Sequence, residues 1–185
     1  MHYEEPEWLI QNCILIDENI LGDIYLVKLD WLMGSRSDPK RSWNWYSLEE
    51  KGGGVIGALG THAFDMLNWF FGEAINVSGK LSTSIKKRPL PNSSDLNDVT
   101  SEDVCLANID ISTYSSNLVP CQVSLSSISK NGRGFSLEIY GSEGSLILKS
   151  ENQKDYVDIL IKNVDIKTDA GLFKNQELSV LYHEE

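Results

Sequence analysis

The stretch from Gly52 to Gly72, GGGVIGALGTHAFDMLNWFFG, decides the fold. Val55, Ile56, Leu59, Ala63, Met66, Leu67 and Phe70 recur at helical spacing. That spacing predicts a helix from about Gly54 to Phe71, closed by Gly72. Gly57 and Gly60 fall inside it, where each costs about 1 kcal/mol relative to alanine. Two reasons for accepting that cost are open. The helix packs closely on a sheet, or a ligand or cofactor lies against its backbone near Gly54 and Gly57.

Gly52, Gly54 and Gly57 also satisfy the spacing G-x-G-x-x-G. A dinucleotide fingerprint, however, needs a buried strand running directly into the glycines of a βαβ unit. The preceding RSWNWYSLEEK is not a strand, and no βαβ unit surrounds it. His62 is the one histidine away from the chain ends, and it shares a helical face with Ala58 and Asp65. A histidine there suits a general acid/base or a group that holds a substrate hydroxyl, because its charge changes near neutrality. The alternative is a hydrogen-bonded structural histidine with Asp65 as a polar neighbour. His62 and Asp65 offer two metal ligands with no clear third, so no metal is expected.

Upstream, residues 33–51 predict a long loop containing Arg36, Arg41, Trp43, Trp45 and Tyr46. Its aromatics could stack on the apolar face of a sugar while Arg36 or Arg41 holds hydroxyls or an anion. Alternatively, the loop is anchored over the sheet by those same aromatics. Residues 23–32 read as a strand, and residues 5–19 as a helix with Pro6 in its first turn and Gly22 as its stop. Downstream, strands are predicted at 75–86, 103–114, 119–129, 134–140, 145–149, 156–166 and 177–182. Between them lie a polar loop at 87–101 and a hairpin turn at Gly141–Gly144. Helical segments followed by many hairpin-length strands give an α+β domain. Its sheet should be open and mostly antiparallel, with helices packed on one face.

The whole chain supports one domain of this kind, since 185 residues with 41% hydrophobic side chains can bury a core. A net charge of -11 argues against nucleic acid and anionic membranes as partners. No apolar run approaches membrane-spanning length, and MHYEEPEWLI has no secretory pattern. Cys13, Cys105 and Cys121 are too few and too scattered for a disulfide framework, and Cys105 and Cys121 sit in strand-like runs as small core residues. A cytoplasmic protein is expected. Neither a G-x-S-x-G nucleophile nor a phosphate-binding P-loop is present.

The Gly52–Gly72 run resembles the Gfo/Idh/MocA family of NAD(P)-dependent oxidoreductases. That family carries a stretch written roughly GGG-x-L-x-D-x-G-x-H-x-x-D, and Gly52, Gly53, Gly54, Gly60, His62 and Asp65 match it. HYEEPEWLIQNCILIDENILGDIYLVKLD and FSLEIYGSEGSLIL resemble its flanking helix, first strand and late hairpin. The resemblance implies the family's C-terminal substrate-binding and oligomerising domain, with a sheet that often forms the subunit interface. It implies hydride chemistry on a sugar or cyclitol hydroxyl, with NAD or NADP used by the full-length protein and none bound to this portion alone, which is expected to be inactive. His62 would be catalytic, Arg36, Trp43, Trp45 and Asp65 would bind substrate, and the partner would be a second copy docked through the open sheet face.

Two departures stand out. The family's Rossmann domain and the lysine of its EKP motif are missing, and Lys51 is not that lysine. The family's aspartate four residues before the histidine is Ala58. Both departures favour a second expectation, a non-catalytic ligand-binding or assembly module.

Overall fold

The computed structural model describes residues 21–113, 117–150, 163–168 and 171–173. The predicted helix at 5–19 and strand at 177–182 lie outside them. Strand β1 (Ile24–Leu32) is followed by a long loop, a helical segment and strand β2 (Gly72–Ser82). Two short strands come next, β3 (Lys87–Pro89) and β4 (Leu96–Asp98). The rest of the main sheet is β5 (Val104–Thr113), β6 (Leu118–Ser126), β7 (Gly134–Gly141), β8 (Gly144–Lys149), β9 (Asn163–Thr168) and β10 (Gly171–Phe173).

Eight of these strands form one sheet in the order β10-β9-β8-β7-β1-β6-β5-β2. All its pairings are antiparallel except β1 with β6, where Val27 lies beside Cys121 and Leu32 beside Ser126. The expected architecture is therefore present, with one parallel pair inside it. That pair exists because the chain leaves β1 and builds the β2, β5, β6 edge, and β6 then lies alongside β1. The predicted hairpin turn at Gly141–Gly144 joins β7 to β8. Its Ser142 and Glu143 amides bond to the carbonyls of Asp23 and Leu21.

Alternation puts one face of the sheet in the core. Val27, Leu29 and Trp31 of β1, Cys105, Ala107, Ile109 and Ile111 of β5, and Val119, Cys121, Val123 and Leu125 of β6 are buried. Leu137 and Ile139 of β7 and Leu146 and Leu148 of β8 continue the layer. Cys105 and Cys121 are thus core residues, as the sequence suggested. Burial pushes the Cys121 thiol up to about 12 and raises that of Cys105, where the Glu102 charge adds to the effect.

The helix covers this face. It is continuous from Gly54 to Phe71, matching the spacing, and consists of a π turn over Ile56–Gly60 followed by α1 (Thr61–Phe71). Ala63, Met66, Leu67, Phe70 and Phe71 are its buried residues. Burying a side chain such as Leu67 or Phe70 contributes about 1.5–3 kcal/mol. Gly72 ends the helix with its amide bonded to the Asn68 carbonyl, and β2 begins at that same residue, earlier than the spacing suggested.

Candidate functional site

The start of the helix is assembled by the loop before it and by Glu102 from the segment leading into β5. Two 3-10 turns, Trp45–Ser47 and Glu49–Lys51, precede the glycines. The motif therefore lacks the strand that a dinucleotide loop requires, in agreement with the sequence reading. The Val55 amide bonds to the Glu102 carbonyl at 2.9 Å, and the Ile56 amide donates to the Glu102 carboxylate at 2.8 Å. This side chain does the work of an N-cap from a distant part of the chain, satisfying amides that lack intrahelical partners.

The glycines are explained by contacts within the chain. Gly54 has a φ of +91°, and the direction a side chain would take is filled by the Glu102 carboxylate. At Gly57 a β-carbon would meet the Gly52 carbonyl, and at Gly60 it would lie 3.1 Å from Phe64 and 3.4 Å from Leu125. Close packing accounts for all three, and the residues present do not fit a phosphate cradle for a dinucleotide. In the π turn at this place the Thr61 amide bonds to the Ile56 carbonyl, one residue further back than in an α-helix, a form that often accompanies functional sites.

His62 and Asp65 are both exposed, three residues apart on the side of α1 turned away from the sheet. Ala58 precedes them on that stripe and the partly exposed Trp69 follows. The core-facing residues of α1 fall on the opposite side. There Phe64, Leu67, Ala74, Val77, Ile109 and Ile111 line an apolar cavity of about 160 Å³, which is separate from the histidine face. Among the described residues no group of three or more His, Cys, Asp or Glu could hold a metal ion. Nor is any helix among them long and apolar enough to cross a membrane.

The loop residues take different roles. Trp43 is anchored, with its indole N–H donating to the Asp98 carbonyl at 2.8 Å and its amide to the Pro89 carbonyl at 2.7 Å. Trp45 is 56% exposed and packs edge-on against buried Tyr46 with ring centres 5.9 Å apart. The Arg36 guanidinium lies over the Tyr46 ring at 3.5 Å, and Arg41 donates to the Ser35 carbonyl. Arg36 and Trp45 thus flank Tyr46, and the loop reaches the helix start where Gly53 donates to the Leu48 carbonyl.

The polar segment 87–101, expected as a loop, contains two short strands. It holds the β3–β4 hairpin, in which Lys87 faces Asp98. Its Arg88, only 4% exposed, was not singled out in the sequence. Asp103 was also missed. It is buried and accepts the amides of Ser84 and Ile85 at 2.8–2.9 Å. Neither stands out by spacing, because an arginine or aspartate in a polar stretch reads as solvated.

Comparison with known proteins agrees with this architecture. The family model described as "Oxidoreductase family, C-terminal alpha/beta domain", that of the Gfo/Idh/MocA proteins, matches residues 14–169. An uncharacterised oxidoreductase of Synechocystis is 49% identical over 77% of this chain and 38% of its own length. Levoglucosan dehydrogenase of Pseudarthrobacter phenanthrenivorans is 25% identical over 76% of the chain and 38% of its own length. A levoglucosan dehydrogenase structure in complex with NADH and L-sorbose superposes with a TM-score of 0.75 at 23% identity, over 89% of this chain and 42% of that one. The chain therefore spans well under half the length of these relatives. With the family model covering most of its residues, the chain belongs to the Gfo/Idh/MocA oxidoreductase family, as its C-terminal α/β domain.

Proposed function

We propose that this domain forms the substrate-binding half of a cytoplasmic NAD(P)-dependent dehydrogenase acting on a sugar or cyclitol hydroxyl. The observation that carries the reading is the exposed His62–Asp65 pair on the helix face turned away from the core, close in sequence to a helix start built around the family's glycines. The likeness to levoglucosan dehydrogenase supports a sugar as the substrate class.

The nicotinamide cofactor would supply hydride exchange at the substrate carbon and would be held outside the described residues. His62 would hold the reacting hydroxyl and exchange its proton at an imidazole nitrogen. Asp65, one turn along, would accept a neighbouring hydroxyl. Trp45 would offer an apolar ring face to the sugar, and Arg36 and the anchored Trp43 would complete that side. A second copy would dock on the open sheet face, where Leu106 and Leu118 stand exposed.

The test uses the longest natural reading frame containing this chain. NAD and NADP reduction is followed with levoglucosan, myo-inositol and D-glucose, and the reverse reaction with L-sorbose and NADH. Turnover of one of these that His62→Ala abolishes supports the reading. Turnover indifferent to His62→Ala removes the role given to His62. The absence of turnover with every pair favours a ligand-binding or assembly module, the reading that Ala58 also favours.

A further inference from the structure

The chain between β2 and β5 makes a detour, residues 83–103, that is closed at its base and reaches outward at its tip. Asp103 closes the base by accepting the Ser84 and Ile85 amides, and the Thr83 hydroxyl donates to the Ser101 carbonyl. The tip is the β3–β4 hairpin. From it, buried Arg88 donates one nitrogen to the Asp38 carbonyl at 2.7 Å and another to the Arg36 carbonyl at 2.6 Å. The next residue, Pro89, accepts the Trp43 amide, and Asp98 on the facing strand accepts the Trp43 indole. The detour thus grips the loop at 36, 38 and 43, the stretch that carries the proposed sugar-binding side chains.

A buried charge is an expensive filler, and an apolar side chain of similar volume would pack at lower cost. Burial and the neighbouring Arg41 charge both weaken the guanidinium's hold on its proton, while Asp103 and Asp38 oppose them. What arginine adds is a planar fork that reaches two carbonyls two residues apart. Fixing the Arg36 backbone in this way also fixes the start of the side chain that lies over Tyr46.

We propose that Arg88 is a positioning residue for substrate binding, its fork setting the 33–51 loop so that Arg36, Trp43 and Trp45 meet the sugar together. This rests on the function proposed above. The role is one of geometry, so it should show in sugar affinity more than in the rate of the bound complex.

The experiment compares wild type, Arg88→Lys, Arg88→Met and Trp45→Ala in the longest natural reading frame. It reads steady-state kinetics with whichever test sugar is turned over, together with amide hydrogen exchange. Lysine keeps the charge but loses the fork. Arg88→Lys is expected to raise sugar KM at least fivefold, leaving kcat and the nucleotide KM within twofold. It should also speed exchange of the Ser37, Arg41 and Trp43 amides at least tenfold, with β5 and β6 unchanged. Arg88→Met should do the same or more. Unchanged loop exchange in both variants overturns the proposal. So does faster loop exchange with unchanged sugar KM, in a protein where Trp45→Ala raises that KM. Unchanged KM in Trp45→Ala, or a protein that neither turns over nor binds any of the test sugars in a calorimetric titration, overturns the reading of the loop as a sugar site, and the role of Arg88 in substrate binding falls with it. The exchange data then show separately whether Arg88 holds the loop.

Discussion

The carboxylate of Glu102 occupies the space in which Gly54 would carry a side chain, and it accepts the amide of Ile56 two residues further on at 2.8 Å. A residue on the approach to β5 therefore starts the helix that carries His62. Gly54→Ala must push that carboxylate aside and also place a β-carbon at a φ of +91°. We expect a loss of about 2 kcal/mol or more. Gly52→Ala is the control. It also has positive φ, at +69°, but nothing lies within 4 Å, so only the backbone cost of about 1 kcal/mol applies. Urea unfolding of the two variants checks the difference. Equal losses would mean that Glu102 yields freely.

Trp43 and Trp45 should separate in a stability measurement. Trp43→Phe removes the hydrogen bond to the Asp98 carbonyl and is expected to cost about 1 kcal/mol or somewhat more. Trp45→Ala removes a half-exposed ring with one aromatic neighbour. Its stability cost should stay near or below about 1 kcal/mol, while sugar KM rises several-fold. Thermal melts and kinetics on the same preparations test both statements. A large loss of stability in Trp45→Ala would make that ring an anchor.

Stability should fall on the alkaline side because of Cys121. Its buried thiol titrates at about 12, against 9.0 when free, so the folded chain holds a proton that the unfolded chain releases. The stabilisation is complete below about pH 9 and is lost as the pH rises from there towards 12, at up to about 1.4 kcal/mol per unit. Cys105 acts in the same direction. Unfolding midpoints at pH 8, 9.5 and 10.5 should therefore fall more steeply for wild type than for Cys121→Ala. Parallel lines for the two proteins would refute the assignment.

How much of this was legible depended on whether a residue's environment is set by its neighbours in sequence. The helix from Gly54 to Phe71 was legible because its apolar residues repeat at helical period and a glycine ends it. The long strands showed in their β-branched residues, and β5 and β6 show the alternation of a half-covered sheet. The β1–β6 pairing was not legible, since it joins residues about ninety positions apart and parallel strands leave no turn to read. The π turn has no sequence period of its own. Arg88, Asp103 and Glu102 escaped notice for a common reason. Each is polar in a polar stretch, and its role comes from distant main-chain groups that only the fold brings near. Nor does the local sequence show that Glu102 fills the side-chain direction of Gly54 or that Leu125 lies against Gly60.

His62 offers the clearest separation of fold from chemistry. It is exposed on the outer side of α1, while Ala63, Met66, Leu67 and Phe70 hold the helix to the sheet from the inner side. Truncation to alanine removes little packing, and alanine favours a helix, so stability should change by no more than about 0.5 kcal/mol. Leu67→Ala, from the inner face, should cost about 2–5 kcal/mol. Loss of a positioned acid/base group typically lowers turnover about 10²–10⁴-fold. In the longest natural reading frame, His62→Ala should therefore melt like wild type and turn over sugar at least a hundredfold more slowly. A variant that is destabilised as much as Leu67→Ala would place His62 in the packing of the domain. One that is stable and fully active would move the proton exchange to another residue.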